Sequence, residues 1–401
     1  MTKSENYTPP ESLGGALRAR YQRLFGEQWP VWVGGVLFGM LNVLLFMWEK
    51  PWSAADGVRN WGDWLFNTVK LTDTTIITPY LYSTSVLNIG IIAGALGAAL
   101  LARQFQIRGA PPWELLKGAI GGVLMGIGAS LAFGCNIGGF FSATSALSLA
   151  GPMMMVGLIV GAVVGLKLLV WEISYLKLPA WASGMKPSAS RTSPRWRAMQ
   201  PLAGLGVLII GIALAFIYDA FEYTTRGGFL AFGLAIGVIM QRTRFCFVRA
   251  FREPFMTGNA EATKAVAVAI VISAVGFTIL KWTDLKDWEV FVRDGFWLGS
   301  LLGGFIFGIG MSLSGGCATG SLWRAGEGHV KLWVAVACFA LSASYSRIVL
   351  TDSGWGSRLG EAIFLPDYLG WKTALLSVVA LMCLWYLVIT WNEVKGKLVV
   401  V

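Results

Sequence analysis

Residues 121–138 read Gly-Gly-Val-Leu-Met-Gly-Ile-Gly-Ala-Ser-Leu-Ala-Phe-Gly-Cys-Asn-Ile-Gly, and residues 303–320 read Gly-Gly-Phe-Ile-Phe-Gly-Ile-Gly-Met-Ser-Leu-Ser-Gly-Gly-Cys-Ala-Thr-Gly. Ten of these eighteen positions are identical at a fixed offset of 182 residues. Each copy is an apolar run of helical length that ends at a glycine-flanked cysteine. The chain therefore contains an internal duplication, and both copies break helical propensity at the same place.

The composition around these copies is that of a membrane protein. Hydrophobic residues make up 55% of the 401 residues and charged residues only 13%, with a mean hydropathy of +0.63. Apolar runs recur along the chain, each long enough to cross roughly 30 Å of hydrocarbon as a helix. We therefore predict an all-α, polytopic membrane protein with nine or ten transmembrane helices. The predicted spans lie near 29–48, 84–104, 116–133, 152–171, 201–218, 229–247, 262–281, 297–314, 330–350 and 371–391.

The Lys and Arg residues that give the net charge of +10 cluster in the loops on one side of these spans. This is the positive-inside pattern and not the basic stripe of a nucleic-acid-binding protein, so we predict an inner-membrane protein with both termini in the cytoplasm. The N-terminus lacks the features of a removable signal peptide. The predicted units are a cytoplasmic segment 1–28, a first repeat 29–176, a mobile cytoplasmic linker 177–200 and a second repeat 201–401.

With this topology the first copy of the repeated motif runs outward and the second runs inward, so the repeats are inverted. Inverted repeats bring equivalent elements together near the middle of the membrane, which favours a transporter. After each cysteine comes a stretch too short to cross again, 138–150 and 318–328, and we predict two re-entrant half-helices. Their N-terminal N–H groups would attract an anion. Close helix packing is the alternative explanation of the glycines.

The breaks define the candidate substrate-binding residues. Cys135 and Cys317 occupy equivalent positions at the breaks, where a thiol would face a cavity. Cys246 is a third candidate, although a purely structural role beside topology-determining arginines explains it equally well. Cys338 and Cys383 lie in featureless apolar runs and are predicted to be packing residues. The neighbours included in the site are Gly134, Asn136, Gly316 and Thr319.

A metal site or another cofactor is not expected. The five cysteines contain no C-x-x-C pair, and the chain has a single histidine, His329. No phosphate-binding Gly-x-x-x-x-Gly-Lys-[Ser/Thr] loop is present either, so ATP is not predicted to drive the protein. A thiol is a soft, weakly hydrogen-bonding group that suits sulfur or selenium better than phosphate. The predicted substrate is therefore a small sulfur- or selenium-containing anion.

Three segments carry a resemblance to a known family: Phe133-Gly-Cys-Asn-Ile-Gly-Gly-Phe-Phe141, Arg244-Phe-Cys-Phe-Val-Arg-Ala-Phe-Arg252 and Gly315-Gly-Cys-Ala-Thr-Gly-Ser-Leu-Trp-Arg-Ala-Gly-Glu-Gly-His329. On these motifs the chain resembles the YeeE/YedE family of thiosulfate importers. The resemblance implies an inverted-repeat helical fold in which the thiols of Cys135, Cys246 and Cys317 contact thiosulfate through S–H···S hydrogen bonds.

The resemblance is nearest to the YedE branch, which is associated with selenium metabolism, and it suggests a TusA-like sulfur carrier as a cytoplasmic partner. The leading hypothesis is an importer of thiosulfate or a related selenium species, and not an enzyme. The alternative is a membrane thiol-disulfide or sulfurtransferase enzyme that passes sulfur or selenium to a cytoplasmic carrier. Such an enzyme would favour a base or a second cysteine near its reactive thiol, and neither Cys135 nor Cys317 has one nearby in the sequence.

Overall fold

The computed structural model describes residues 15, 20–72, 76–176 and 193–400. Within these residues, ten helical stretches are long and apolar enough to cross a membrane, and no strand of a sheet is present. The all-α, polytopic prediction is confirmed. The long helices are α1 (Val31–Trp48), α3 (Ser83–Leu101), α4 (Pro112–Leu131), α6 (Ala150–Tyr175), α7 (Pro194–Ala220), α8 (Thr224–Thr243), α10 (Glu261–Trp282), α11 (Leu298–Ser314), α13 (Val330–Asp352) and α14 (Leu365–Lys395).

Besides one turn of 3-10 helix at Trp355–Arg358, four short helices lie between the long ones in the described part of the chain. Two of them occupy the predicted half-helix positions: α5, which is π-helical over Asn136–Ser142 and α-helical over Ala143–Ser145, and α12 (Ala318–Gly326). The other two, α2 (Ala54–Thr68) and α9 (Phe247–Met256), are not among the two predicted half-helices. Both have a mixed composition, with charged residues on one face. Because neither forms a continuous apolar run, the sequence predicted a loop at α2 and the end of a span at the start of α9.

The predicted end of the linker differs from the structure. Helix α7 begins at Pro194, with the Ser193 hydroxyl accepting a hydrogen bond from the N–H of Trp196, so residues 194–200 of the predicted linker are helical. Proline at the first helical position and this cap were the available signals. The linker residues 177–192 and most of the segment 1–28 lie outside the described residues.

The order of long and short helices is the same in α1–α7 and α8–α14: long, short, long, long, short, long, long. The packing repeats as well. Helix α3 packs on α8 and helix α10 on α1, while α6 packs on α11 and α13 on α4. The predicted division at the linker stays a prediction, and the order of the helices favours instead a division at the turn 221–223.

Helices α4 and α11, which carry the repeated motif, pack against each other in opposite directions. A Cβ on Gly121 would lie 2.6 Å from the carbonyl oxygen of Gly310, and a Cβ on Gly303 would lie 2.6 Å from that of Gly128. Since Gly121 matches Gly303 and Gly128 matches Gly310, each contact is the counterpart of the other. This reciprocity is the mark of a pseudo-two-fold axis between the copies, and close packing accounts for these four glycines.

The outer surface of the bundle is apolar. On α7, for example, the side chains of Leu202, Ile210 and Phe216 are between 61% and 73% exposed. Such a surface is stable only against hydrocarbon or another apolar face. The interior contains the four short helices, whose ends meet in the centre of the described chain.

Candidate functional site

Cys135 and Cys317 are each the residue before a short helix, and they have the same backbone conformation. Their φ and ψ angles are −80° and −176° for Cys135 and −80° and −178° for Cys317. The carbonyl oxygen of Cys135 accepts from the N–H of Gly139 at 2.6 Å, and that of Cys317 accepts from Ser321 at 2.7 Å. The glycine-rich breaks therefore fold into two equivalent turns, each with a fully buried thiol at a helix N-terminus.

Cys246 lies beside Cys317, although the two are 71 residues apart in the chain. Helix α8 ends where Arg244 adopts a left-handed conformation (φ 55°), and Cys246 then begins α9. The Cys317 sulfur accepts from the N–H of Gly320 at 3.2 Å. A Cβ on Gly320 would lie 3.1 Å from the Sγ atoms of both cysteines. Both thiols are free and fully buried, so they form a compact pair around a glycine.

The polar site candidates Asn136 and Thr319 are also fully buried, and neither side chain hydrogen-bonds to a nitrogen or oxygen atom of a described residue. Asn136 follows Cys135 in the sequence, but its side chain lies beside Cys317. It therefore reaches from one copy of the turn to the other. Unpaired buried amide and hydroxyl groups cost free energy, and in native proteins they usually have a ligand or water as a partner.

Gly134 and Gly316 are equivalent residues that leave room for the turns. A Cβ on Gly134 would lie 2.6 Å from the backbone nitrogen of Gly139, and a Cβ on Gly316 would lie 2.6 Å from the Oγ of Ser321. Both distances are far below van der Waals contact. These two candidates shape the backbone around the thiols and offer no side chain to a substrate.

A cavity of about 280 Å³ adjoins the Cys135 turn, and three arginines line it. The arginines are Arg59, Arg293 and Arg347, and the lining also includes one acidic residue, Asp56, so that positive charge exceeds negative charge around the cavity. The two ion pairs recorded for them, Arg59 to Asp63 and Arg293 to Asp56, are long, at 3.8 Å each. Buried nitrogens of Arg59 and Arg293 have no hydrogen-bond partner within the described residues. The cavity has the donors and the charge to hold a small anion.

These three arginines were missed in the sequence because they lie in predicted outer loops or in a span. Arg347, which stacks over the ring of Phe133 at 4.8 Å, lies inside the predicted span 330–350. An ionisable residue inside an apolar span is by itself a functional signal. That signal was available, whereas the convergence of Arg59 and Arg293 depends on the fold.

A network of polar side chains lies next to the segment that contains Cys246. Its centre is the Glu327 carboxylate, which accepts from Arg244 at 2.7 Å and from Gln241 at 3.0 Å. Arg108 and His329 lie 3.9 and 3.7 Å from it. Burial alone would raise the pKa of Glu327, but the nearby His329 and the hydrogen bond and charge of Arg244 outweigh it. The pKa is lowered from 4.5 to about 2.

Two other basic residues of the Cys246 segment make structural contacts. The Arg242 side chain is fully buried and donates to the carbonyl oxygen of Glu27, while Arg249 pairs with Glu253 at 2.7 Å. Cys338 is half-buried and Cys383 is exposed, so neither shares the full burial of Cys135, Cys246 and Cys317; their role as packing residues stays a prediction. Across the described chain, no three or more His, Cys, Asp and Glu side chains form a group suited to a metal.

The repeat, the two cysteine turns and Cys246 agree with a family comparison. A family model described as "Sulphur transport" matches residues 2–164 and 242–399, which is most of the chain and includes all three cysteines. The chain belongs to this family, the YeeE/YedE family. Together with the ten apolar helical stretches, the match identifies a multi-pass membrane protein of the sulphur transport family.

Individual relatives are similar over part of their length. "Probable transporter YedE" of Escherichia coli is 28% identical over 260 residues, which are 64% of this chain and 63% of that protein. "Thiosulfate transporter TsuA" of E. coli is 37% identical over 115 residues, 29% of this chain and 32% of that protein. TsuA of Spirochaeta thermophila is 32% identical over 132 residues, 33% and 39% of the two chains. The chain thus spans just under two thirds of YedE and about a third of each TsuA. All three relatives are named as transporters, in agreement with a protein that is not an enzyme.

Proposed function

We propose that this protein imports a small sulfur-containing oxyanion, with thiosulfate as the first candidate, along a central path lined by Cys135, Cys246 and Cys317. The observation that carries the proposal is the pair of free, fully buried thiols of Cys246 and Cys317 around Gly320. Family membership and the TsuA relatives support the choice of substrate. Selectivity for a sulfur-containing substrate would come from contacts with the thiols, which a binding site for phosphate or sulfate does not need.

The order of the sites along the path follows from their charge. The anion first enters the cavity lined by the three arginines, where positive charge and unpaired donors compensate for its lost water. It then passes the Cys135 turn and the Asn136 amide to reach the Cys246 and Cys317 pair. Neutral thiols are weak donors and polarizable partners, so they would hold a sulfur atom loosely enough to release it.

We place the arginine cavity on the outer face and the Glu327 network on the cytoplasmic face, with both termini in the cytoplasm of an inner-membrane protein. Antiparallel packing of α4 and α11 supports an inverted repeat, and the positive-inside distribution supports the orientation. The depth of α5 and α12 in the bilayer is part of the same proposal: as re-entrant half-helices they would direct their N-termini to the midplane.

Two further parts of the proposal rest on family resemblance alone. A selenium oxyanion is the alternative substrate, since a thiol suits selenium as well as sulfur. A TusA-like carrier is proposed as the cytoplasmic acceptor. Both are separable from the main proposal, because import of thiosulfate needs neither of them.

The test is uptake into proteoliposomes of thiosulfate that is isotopically labelled at both sulfur atoms, with selenite, selenate and sulfate measured in parallel. Cys135→Ala, Cys246→Ala and Cys317→Ala are each expected to reduce thiosulfate uptake at least tenfold. Cys338→Ala and Cys383→Ala are the matched controls, because they remove thiols away from the proposed path, and they are expected to behave as wild type.

Empty-vesicle rates for wild-type protein with every sulfur and selenium species would overturn the transport proposal. Normal uptake in all three path variants would overturn the role of the thiols only. The enzyme alternative is separated by the labels: a sulfurtransferase would deliver the outer sulfur without the sulfonate sulfur, whereas a transporter delivers both in equal amounts. Cys246 gives Cys317 the neighbouring thiol that the sequence did not reveal, so this measurement is essential.

A further inference from the structure

We propose that Ser53 is a substrate-contacting residue of the outer part of the path, and that its hydroxyl hydrogen-bonds to an oxygen atom of the permeating oxyanion. This inference rests on the proposed transport function and adds a residue and a chemical preference to it. Ser53 is the residue before α2, in a segment that sequence analysis assigned to a loop.

The internal symmetry makes Ser53 the counterpart of Cys246. Helices α2 and α9 hold the same place in the two sets of seven helices, and each begins after one extended residue: φ and ψ are −141° and 103° for Ser53 and −155° and 128° for Cys246. Their surroundings match as well. A Cβ on Gly138 would lie 2.4 Å from the Ser53 Oγ, just as a Cβ on the equivalent Gly320 would lie 3.1 Å from the Cys246 Sγ.

The Ser53 side chain is 1% exposed, and its hydroxyl has no hydrogen-bond partner within the described residues. An unmade hydrogen bond of a buried hydroxyl costs about 1–3 kcal/mol. Serine could cap α2 by accepting from its backbone, as Ser193 does for α7, but the Ser53 hydroxyl makes no such bond. The Ser53 hydroxyl therefore makes no hydrogen bond that stabilises the described part of the fold.

Three other donors converge on the same turn. The backbone amides of Ala55 and Gly138 lie beside the Cys135 thiol. The Arg293 Nη2 lies 3.3 Å from the position of a Cβ on Gly138, and this nitrogen also lacks a hydrogen-bond partner among the described residues. The turn therefore brings one thiol, one hydroxyl and one guanidinium close to Gly138, and the only carboxylate paired with this guanidinium among the described residues, that of Asp56, is 3.8 Å away.

This combination differs chemically from the pair around Gly320. A hydroxyl is a stronger donor than a thiol and is suited to oxygen, whereas the thiol is suited to sulfur. Ser53 and Cys135 together would read the oxygen end and the sulfur end of a thiosulfate-like anion. Cys246 and Cys317 offer two soft groups and no hydroxyl. Binding at the outer turn would then require a substrate that contains both oxygen and sulfur atoms.

The experiment measures the KM and maximal rate of thiosulfate uptake for Ser53→Ala and Ser53→Cys in proteoliposomes. Loss of one hydrogen bond to a charged partner is worth about a factor of ten or more in binding. Ser53→Ala is expected to raise the KM about tenfold with little change in maximal rate. Ser53→Cys, which keeps the volume and a weak donor, is expected to give an intermediate KM.

Ser145→Ala is the control, because Ser145 is a buried serine of α5 whose hydroxyl donates to the carbonyl oxygen of Phe141 in its own helix. It is expected to keep the wild-type KM. Wild-type uptake with an unchanged KM in Ser53→Ala would overturn the role of Ser53, as would equal KM shifts in Ser53→Ala and Ser145→Ala. Absence of uptake in wild-type vesicles would instead overturn the proposed function.

Discussion

Cys246 and Cys317 place their sulfur atoms around a single glycine, each 3.1 Å from where a Cβ on Gly320 would be. Gly320 lies in the first turn of α12, and its N–H donates to the Cys317 sulfur. A side chain at this position would occupy the space between the thiols. The arrangement of the two thiols therefore depends on Gly320, a residue without a functional side chain.

Gly320→Ala is expected to abolish uptake of thiosulfate while the protein still folds. The added methyl group is tighter against both sulfurs than ordinary contacts, and it would fill the space that the anion must cross. Uptake and the melting temperature in detergent are the measurements. Gly206→Ala is the control, since a Cβ there meets nothing within 4 Å. Normal uptake by Gly320→Ala would remove this point from the path.

Arg347→Gln is expected to raise the KM for thiosulfate about tenfold, because one of the three charges that line the outer cavity is lost. Arg347→Lys keeps the charge and should recover part of the affinity. The wild-type KM should also rise with ionic strength, since salt screens the charges of an open cavity. Arg195→Gln, at the exposed start of α7, should leave the KM unchanged. A similar KM in all four proteins would contradict recruitment by the cavity.

Glu327→Gln is expected to destabilise the protein, because Arg244 loses the carboxylate that accepts from it at 2.7 Å. The pKa of Glu327 lies below its ordinary value. The wild-type stabilisation is therefore complete above about pH 4.5 and is lost as the pH falls toward 2, on the order of 3 kcal/mol. Unfolding in detergent between pH 7 and pH 3 checks this. The variant should melt earlier at pH 7 and lose less on acidification; equal curves would contradict it.

Labelling with a membrane-impermeant maleimide tests the inverted topology. Gly109→Cys and Asp287→Cys are made in a protein that carries Cys338→Ser and Cys383→Ser, since the three path cysteines are buried. Both new positions are exposed. Asp287→Cys is expected to react in intact cells, and Gly109→Cys only after the cells are opened. Reaction of both from outside would overturn the orientation of the two copies.

The sequence predicted the features that depend on strong local patterns. Ten apolar runs predicted the long helices, and the offset of 182 residues predicted the equivalence of the Cys135 and Cys317 turns. Family motifs added Cys246. The turns themselves follow from glycine placement at Gly134 and Gly316, where no side chain fits.

The remainder of the site was hidden because it depends on contacts between distant segments. Ser53 and Arg59 lie in a mixed polar stretch whose helix α2 has no continuous apolar run. Arg293 comes from a loop more than 200 residues away and meets them only in the fold. No local sequence pattern predicts such contacts between distant segments. Arg347, by contrast, is an isolated charge in an apolar span, and that signal could have been used.

The three cysteines of the proposed path are fully buried, and the rings of Phe245 and Phe247, the chain neighbours of Cys246, pack edge-to-face at 5.5 Å. A cell that stores energy as a proton gradient would be short-circuited by any open column of water through its membrane. Rings and thiols conduct protons poorly, so the proposed passage would let a sulfur oxyanion through and still preserve the proton gradient. The apolar lining of the proposed passage would then serve the cell's energy supply as much as its sulfur supply.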